Sequence, residues 1–248
     1  MSGHSKWATI KRKKAATDQA RGKLFSKYIK EITIAARQGA DPNANPRLRT
    51  AINAAKAVNM PANNIERAIR RGAGLEPGVH YEETQYEGYG PGGVALLIEV
   101  ATDNRNRTTG EIRHIFTKHG AALGEAGSVA YLFKPRGVIL VDRGAAAEDT
   151  VIEVALEAGA DDVGTEGDTY EVLTPPAQLE SVKEALAARG VPVQSAELTR
   201  LATLQVPVGE KDAESVLKLV DALEEQDDVQ KVHANFNIPD ELMARLSR

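Results

Sequence analysis

Residues 137–199 read GVILVDRGAAAEDTVIEVALEAGADDVGTEGDTYEVLTPPAQLESVKEALAARGVPVQSAELT, and the order of elements in this stretch decides the fold. GVILVD (137–142) is a short β-branched run that predicts a strand, and AAEDTVIEVALEAG places apolar residues at helical spacing. A short strand near 161–165, the strand TYEVLT, the helix AQLESVKEALAARG and a return strand PVQSAEL complete the order β-α-β-β-α-β. That order is ferredoxin-like. The flanking segments supply the same elements again. Strand 93–101, helix 104–119 and strand 128–133 precede the stretch, while strand 201–208, helix 212–225 and strand 229–237 follow it. The prediction is an α+β multidomain chain with two ferredoxin-like domains, one inserted in the other. The discontinuous domain takes 79–135 plus 200–248, and the acidic inserted domain takes 136–199.

Upstream lies a different kind of sequence. In KLFSKYIKEITIAARQG, Leu24, Phe25, Tyr28, Ile29, Ile32 and Ala36 recur at helical spacing, with Lys23, Lys27 and Lys30 on the opposite, cationic face. DPNANP ends this helix, Asn45 caps a second helix that has Pro46 at its first position, and MPANN restarts the chain into a third that Gly72 stops. Residues 1–78 therefore read as a basic three-helix domain preceded by a polar arm. No helix-turn-helix with a base-reading face is legible in it. The following segment, EPGVHYEETQYEGYGPGG, is rich in Gly, Pro and Tyr and reads as a linker or as irregular strands entering the next domain.

Charge divides the chain the same way. Residues 1–80 carry 16 Lys and Arg against 5 Asp and Glu, a net +11, and residues 81–248 carry 15 against 30, a net −15. Such asymmetry speaks to partners: one end attracts polyanions and the rest repels them. The cations of the arm and first helix, Lys6, Lys11, Arg12, Lys13, Lys14, Arg21, Lys23, Lys27 and Lys30, are the candidate nucleic-acid contacts. Trp7, the sole tryptophan, either stacks on a base or anchors the arm to the helices. Arg105 and Arg107 in TDNRNRT stand in the first turn of a helix, where the dipole disfavours cations. They either receive an external phosphate or pair with nearby carboxylates.

Other chemistries find little support. There is no cysteine, which removes disulfides, thiolate metal sites and thiol nucleophiles and fits a cytoplasmic location. No apolar run approaches the roughly 20 residues of a membrane span, and no apolar segment follows the basic N-terminus as in a secretory signal. GYGPGG (88–93) matches G-x-G-x-x-G by letter, but it precedes a strand and contains Pro91, so it reads as a turn. His4, His80, His114, His119 and His233 lack metal-ligand spacing. No catalytic constellation, metal site, cofactor or small-molecule substrate is expected. Tyr131 and Phe133 alternate without an RNA-recognition run around them. The glycine-containing GEAGS (124–128) is a candidate contact loop.

Six separated motifs, GHSKWATIKRKKAATDQARGKLFSK, NPRLRTAI, MPANNIERAIRRG, YEGYGPGGVALLIE, TDNRNRT and GSVAYLF, occur in this order. Together they resemble the YebC family, whose mitochondrial member is called translational activator of cytochrome oxidase. The resemblance implies one helical and two α+β domains and a cytoplasmic, non-enzymatic factor in gene expression. It implies two partners: the ribosome, through ribosomal RNA and including relief of stalling on proline-rich nascent chains, or DNA, as a probable transcriptional regulator. Of these, the translation factor docking on ribosomal RNA phosphates is the leading expectation, and the DNA-binding regulator is the alternative.

Overall fold

A computed structural model describes Trp7 and residues 18–246, apart from the side chains of residues 18–21, 166 and 240. Three helices follow one another near the N-terminus: α1 (Asp18–Ala36), α2 (Pro46–Ala57) and α3 (Ala62–Gly72). Asn45 joins the first two. Its Oδ1 accepts from the Leu48 N–H at 3.1 Å, while its Nδ2 donates to the carbonyls of Ala35 and Gly39 at 2.8 Å each. One side chain thus caps α2 and satisfies carbonyls at the end of α1.

Helix α2 ends in a Schellman motif: the Asn59 N–H reaches the Lys56 carbonyl at 2.9 Å and the Met60 N–H reaches the Ala55 carbonyl at 3.0 Å. Asn59 holds φ at +60°, alone among the described non-glycine residues in the left-handed region. Asparagine tolerates that conformation better than other side chains. Ile32, Ala35, Leu48, Ile52, Met60, Ile65 and Ala68 belong to the shared core. At Gly72 a Cβ would lie 2.2 Å from the Thr33 carbonyl oxygen, so only glycine lets the end of α3 press onto α1.

The chain forms two compact units. The helices belong to the first, with β1 (Glu82–Tyr89), β2 (Ala95–Thr102), α4 (Arg105–Lys118), β3 (Ala122–Leu123) and elements near the C-terminus introduced below. The second unit is built on β4 (Phe133–Asp142), α5 (Glu148–Glu157), β5 (Asp162–Glu166), β6 (Thr169–Thr174), α6 (Leu179–Ala188) and β7 (Val193–Ala202). Its sheet has the order β5-β6-β4-β7, with every pair antiparallel. Ile139, Val141, Tyr170 and Val172 point from this sheet into a core with Val151, Val154, Val182 and Leu186 of the two helices. The stretch that decided the fold class is therefore the α+β sandwich it was read to be. A two-residue strand β8 (Val206–Pro207) in the same unit pairs in parallel with the later β10 (Phe236–Asn237).

In the first unit, α7 (Glu210–Glu225) and β9 (Val229–Ala234) complete a second antiparallel sheet of order β3-β1-β2-β9; a short α8 (Asp240–Leu246) follows. The arrangement is again ferredoxin-like, but the strands are not all those expected. Residues 201–208 do not fill the third position: Leu201 and Ala202 end β7, and Val206–Pro207 is β8. Residues 130–132 form a 3-10 turn in place of a strand. The third position belongs to β1, drawn from the segment read as a linker or as irregular strands. Of the two readings of that segment, the strand is what forms. A Cβ at Gly88 would lie 2.4 Å from Phe116 Cε1 and 2.6 Å from the Ala122 carbonyl oxygen, so glycine here permits close packing. Pro91, Gly92 and Gly93 make the β1–β2 turn, with both glycines at positive φ.

Candidate nucleic-acid interface

The lysine face of α1 meets protein. Lys23 Nζ donates to the Glu225 carbonyl at 3.2 Å, and Lys27 Nζ donates to the Glu224 carbonyl at 2.8 Å. One turn on, Lys30 Nζ donates to the Asp227 carbonyl at 2.9 Å, to Asp228 Oδ1 at 2.7 Å and, at 3.4 Å, to the Ala101 carbonyl. The carbonyls of Glu224, Glu225 and Asp227 lie at and just beyond the C-terminal end of α7, where orphan acceptors and the negative end of the dipole favour cations. An ammonium has three donors. All three of Lys30 are engaged inside the protein, and its side chain is buried. Lys23, with the 3.2 Å bond to Glu225, remains exposed, and Lys27 is half-buried.

Asp228 is the hub of this contact. Its Oδ2 accepts from Arg107 Nη2 at 2.8 Å, Thr108 Oγ1 at 2.7 Å and Thr102 Oγ1 at 3.1 Å, while Oδ1 takes Lys30. Burial opposes its ionisation, but hydrogen bonds from Lys30, Arg107 and Thr108 outweigh burial and hold the carboxyl well below its usual range. Arg107 also pairs with Asp103 at 2.7 Å, and the carboxylates push its own titration still higher. Of the two outcomes open for Arg107, pairing with nearby carboxylates is the one the geometry displays. Arg105 lies exposed in the same first turn, behind the Asn104 cap that accepts from the Arg107 N–H at 3.1 Å.

Trp7 is 8% exposed, and its Nε1 donates to Asp221 Oδ1 at 2.9 Å. Its surroundings are those of an anchor, with the indole edge already hydrogen-bonded. Lys6, Lys11, Arg12, Lys13 and Lys14 lie outside the described residues, as does the side chain of Arg21.

Two features were not singled out in the sequence. The first is a set of cations on α2 and α3: Arg49 and Lys56 on α2 and Arg67 on α3 are exposed and form no ion pair with any described residue. The second is Glu87, which holds the candidate loop GEAGS. Glu87, 6% exposed, accepts backbone N–H groups of Gly127, Val129 and Ala130, each at 2.7 Å, and its carbonyl accepts from Gly124 N–H at 2.7 Å. Burial raises the tendency of Glu87 to protonate, yet the three N–H groups outweigh it and lower its pKa. The loop is pinned by β1, a role that a glutamate within a Gly–Tyr segment does not advertise. Tyr131 lies in a 3-10 turn and Phe133 is buried, so they do not form an aromatic platform. Among the described residues no acid or histidine cluster could hold a metal, and no helix is long and apolar enough to cross a membrane.

A basic helical head, followed by two ferredoxin-like units of which one interrupts the other, defines a multidomain α+β chain without an evident catalytic centre among the described residues. The family comparison agrees along nearly the whole length. Residues 5–75 match the TACO1/YebC protein N-terminal domain and residues 81–236 match the TACO1/YebC second and third domain, so the chain belongs to the TACO1/YebC family. A relative from Desulfatibacillum aliphaticivorans is 57% identical over 97% of this chain and 98% of its own length. Another, from Dictyoglomus thermophilum, is 56% identical over the full length of both. Both bear the name probable transcriptional regulatory protein. The crystal structure of a conserved hypothetical protein from Aquifex aeolicus superposes with a TM-score of 0.82 at 51% identity, covering 90% of this chain and 93% of that one.

Proposed function

We propose that this chain is a non-enzymatic, nucleic-acid-binding regulator of gene expression that meets its partner through the N-terminal helical domain. The observation that carries the reading is the charge division, +11 over residues 1–80 against −15 over the remainder. Arg49, Lys56 and Arg67, exposed and without an ion pair among the described residues, supply cations on the helical domain beyond those of the arm. A phosphate backbone rewards such a surface by counterion release, and the acidic remainder orients the chain by repulsion. Loss of Lys30 from the set of available cations leaves this reading intact, because the charge of the domain is widely distributed.

Two nucleic acids compete for the site. The family resemblance favours a ribosome-associated factor docking on ribosomal RNA phosphates and relieving stalls on proline-rich nascent chains. The names of the relatives favour DNA. Sucrose-gradient sedimentation of a lysate at low salt tests the first: co-migration with ribosomes supports it, and protein confined to the top of the gradient defeats it. Binding to either polymer should weaken by about 0.7–0.9 log units per phosphate contact for each tenfold rise in salt. Reversal of Lys11, Arg12, Lys13 and Lys14 to Glu should abolish the binding with little change in thermal unfolding. Failure of the unaltered chain to bind any nucleic acid would refute the proposal.

A further inference from the structure

We propose that α2, its turn and α3 form a helix-turn-helix whose second helix reads base edges in the major groove of duplex DNA. The proposal rests on the nucleic-acid reading and names the polymer and the reading face. Its starting point is the turn. Only four residues, 58–61, separate α2 from α3, and the second of them, Asn59, takes the left-handed conformation. That bend, with Met60 buried behind it, turns α3 away from α2 and onto α1. α2 and α3 each pack chiefly on α1 and meet each other only weakly, unlike the helices of a side-by-side hairpin, and a short turn joining them is the connectivity of a helix-turn-helix.

The burial pattern then separates the two sides of α3. Ile65 and Ala68 are buried, with Ile69 against the same core. Asn63, Glu66, Arg67 and Arg70 are exposed and fall at i, i+3, i+4 and i+7, a single stripe opposite the core. The chemistry of this stripe is that of base readout. Arginine pairs bidentately with guanine, asparagine with adenine, and glutamate accepts from the cytosine amino group. Glu66 discriminates between two uses of the surface. A carboxylate in the middle of a face meant only for phosphates opposes binding, whereas at a base edge it selects one base pair and rejects others. Arg70 is held by Glu76 at 2.8 Å, and Arg67 is free of any ion pair with a described residue. Arg49, Asn53 and Lys56 form an equivalent exposed stripe on α2, the helix that crosses the phosphate backbone in this motif.

The test is selection of the full chain against a duplex DNA library with a randomised core, followed by binding of recovered and scrambled duplexes at fixed salt. The expected result is an enriched sequence. Arg67→Ala and Asn63→Ala should each relax the preference at one base pair by about five- to a hundredfold. Lys56→Ala should instead weaken recovered and scrambled duplexes equally and reduce the salt slope by about one. All three positions are exposed, so thermal melts matching the parent will establish that the variants fold. Salt-sensitive duplex binding without enrichment would overturn base reading and leave the nucleic-acid reading standing. The same holds for a preference for structured RNA that Arg67→Ala does not alter. Absence of binding to DNA and RNA alike would defeat both.

Discussion

Replacing Asp228 by Asn probes the contact between α1 and the sheet. The wild-type Asp228 side chain is 5% exposed and that of Lys30 11%. Asparagine keeps one oxygen for Lys30 but presents an amide donor where Arg107, Thr108 and Thr102 require an acceptor. Breaking a buried pair from one side costs about 3–5 kcal/mol. For a domain of this size that corresponds to a fall in Tm on the order of 10 °C. Trp7 lies in the same unit, so its fluorescence follows the relevant transition during thermal or urea unfolding. Lys30→Met should cost less, about 1–3 kcal/mol, because Arg107 still neutralises Asp228. Combining the two changes should destabilise by less than the sum of the single effects. The pH dependence has a definite sign. The carboxyl titrates below its unfolded value, so its contribution is complete above about pH 4 and is lost as the pH falls through the depressed folded value. The gap between wild type and Asp228→Asn should be constant at neutral pH and narrow in acid. A Tm within about 2 °C of wild type, or strict additivity with Lys30→Met, would show that the network does not hold the helices to the sheet.

Glu87→Gln should cost about 1–3 kcal/mol and accelerate amide exchange at Gly127, Val129 and Ala130 before any global unfolding, measured by hydrogen–deuterium exchange. Gly88→Ala should destabilise by about 1–3 kcal/mol in chemical denaturation. Trimming Phe116 to Leu should not restore the loss, because the clash with the Ala122 carbonyl remains. Asn59→Gly should leave the melting curve nearly unchanged, whereas Asn59→Val, with a branched side chain at positive φ, should lose about 1–2 kcal/mol.

The elements that could be read ahead were those whose periodicity is local. GVILVD and TYEVLT announce strands, and the helices between them announce their apolar stripes. The segment of β1 stayed open between linker and irregular strand, because glutamates, tyrosines and a glycine describe a linker as well as an edge of close packing. The distinction lies in Phe116 and Ala122, more than 25 residues onward in the chain. For α1 the periodicity placed Lys23, Lys27 and Lys30 together correctly, but no local signal says that they face carbonyls about 200 residues away. The stripe on α3 was present in ANNIERAIRRG all along. What the sequence lacked was the bend at Asn59, a position usually announced by glycine.

The distance between Lys30 and Asp228 along the chain, 198 residues, also sets an order of events during synthesis. At about 5–20 residues per second, Lys30 is synthesised roughly 10–40 s before its carboxylate partner exists. The interrupting unit has nearly all of its own strands by then, while the surrounding sheet must wait for β9 to close beside β2. For that interval the nascent chain holds a cationic helix whose lysines lack their acceptors, made by a machine that is itself largely RNA.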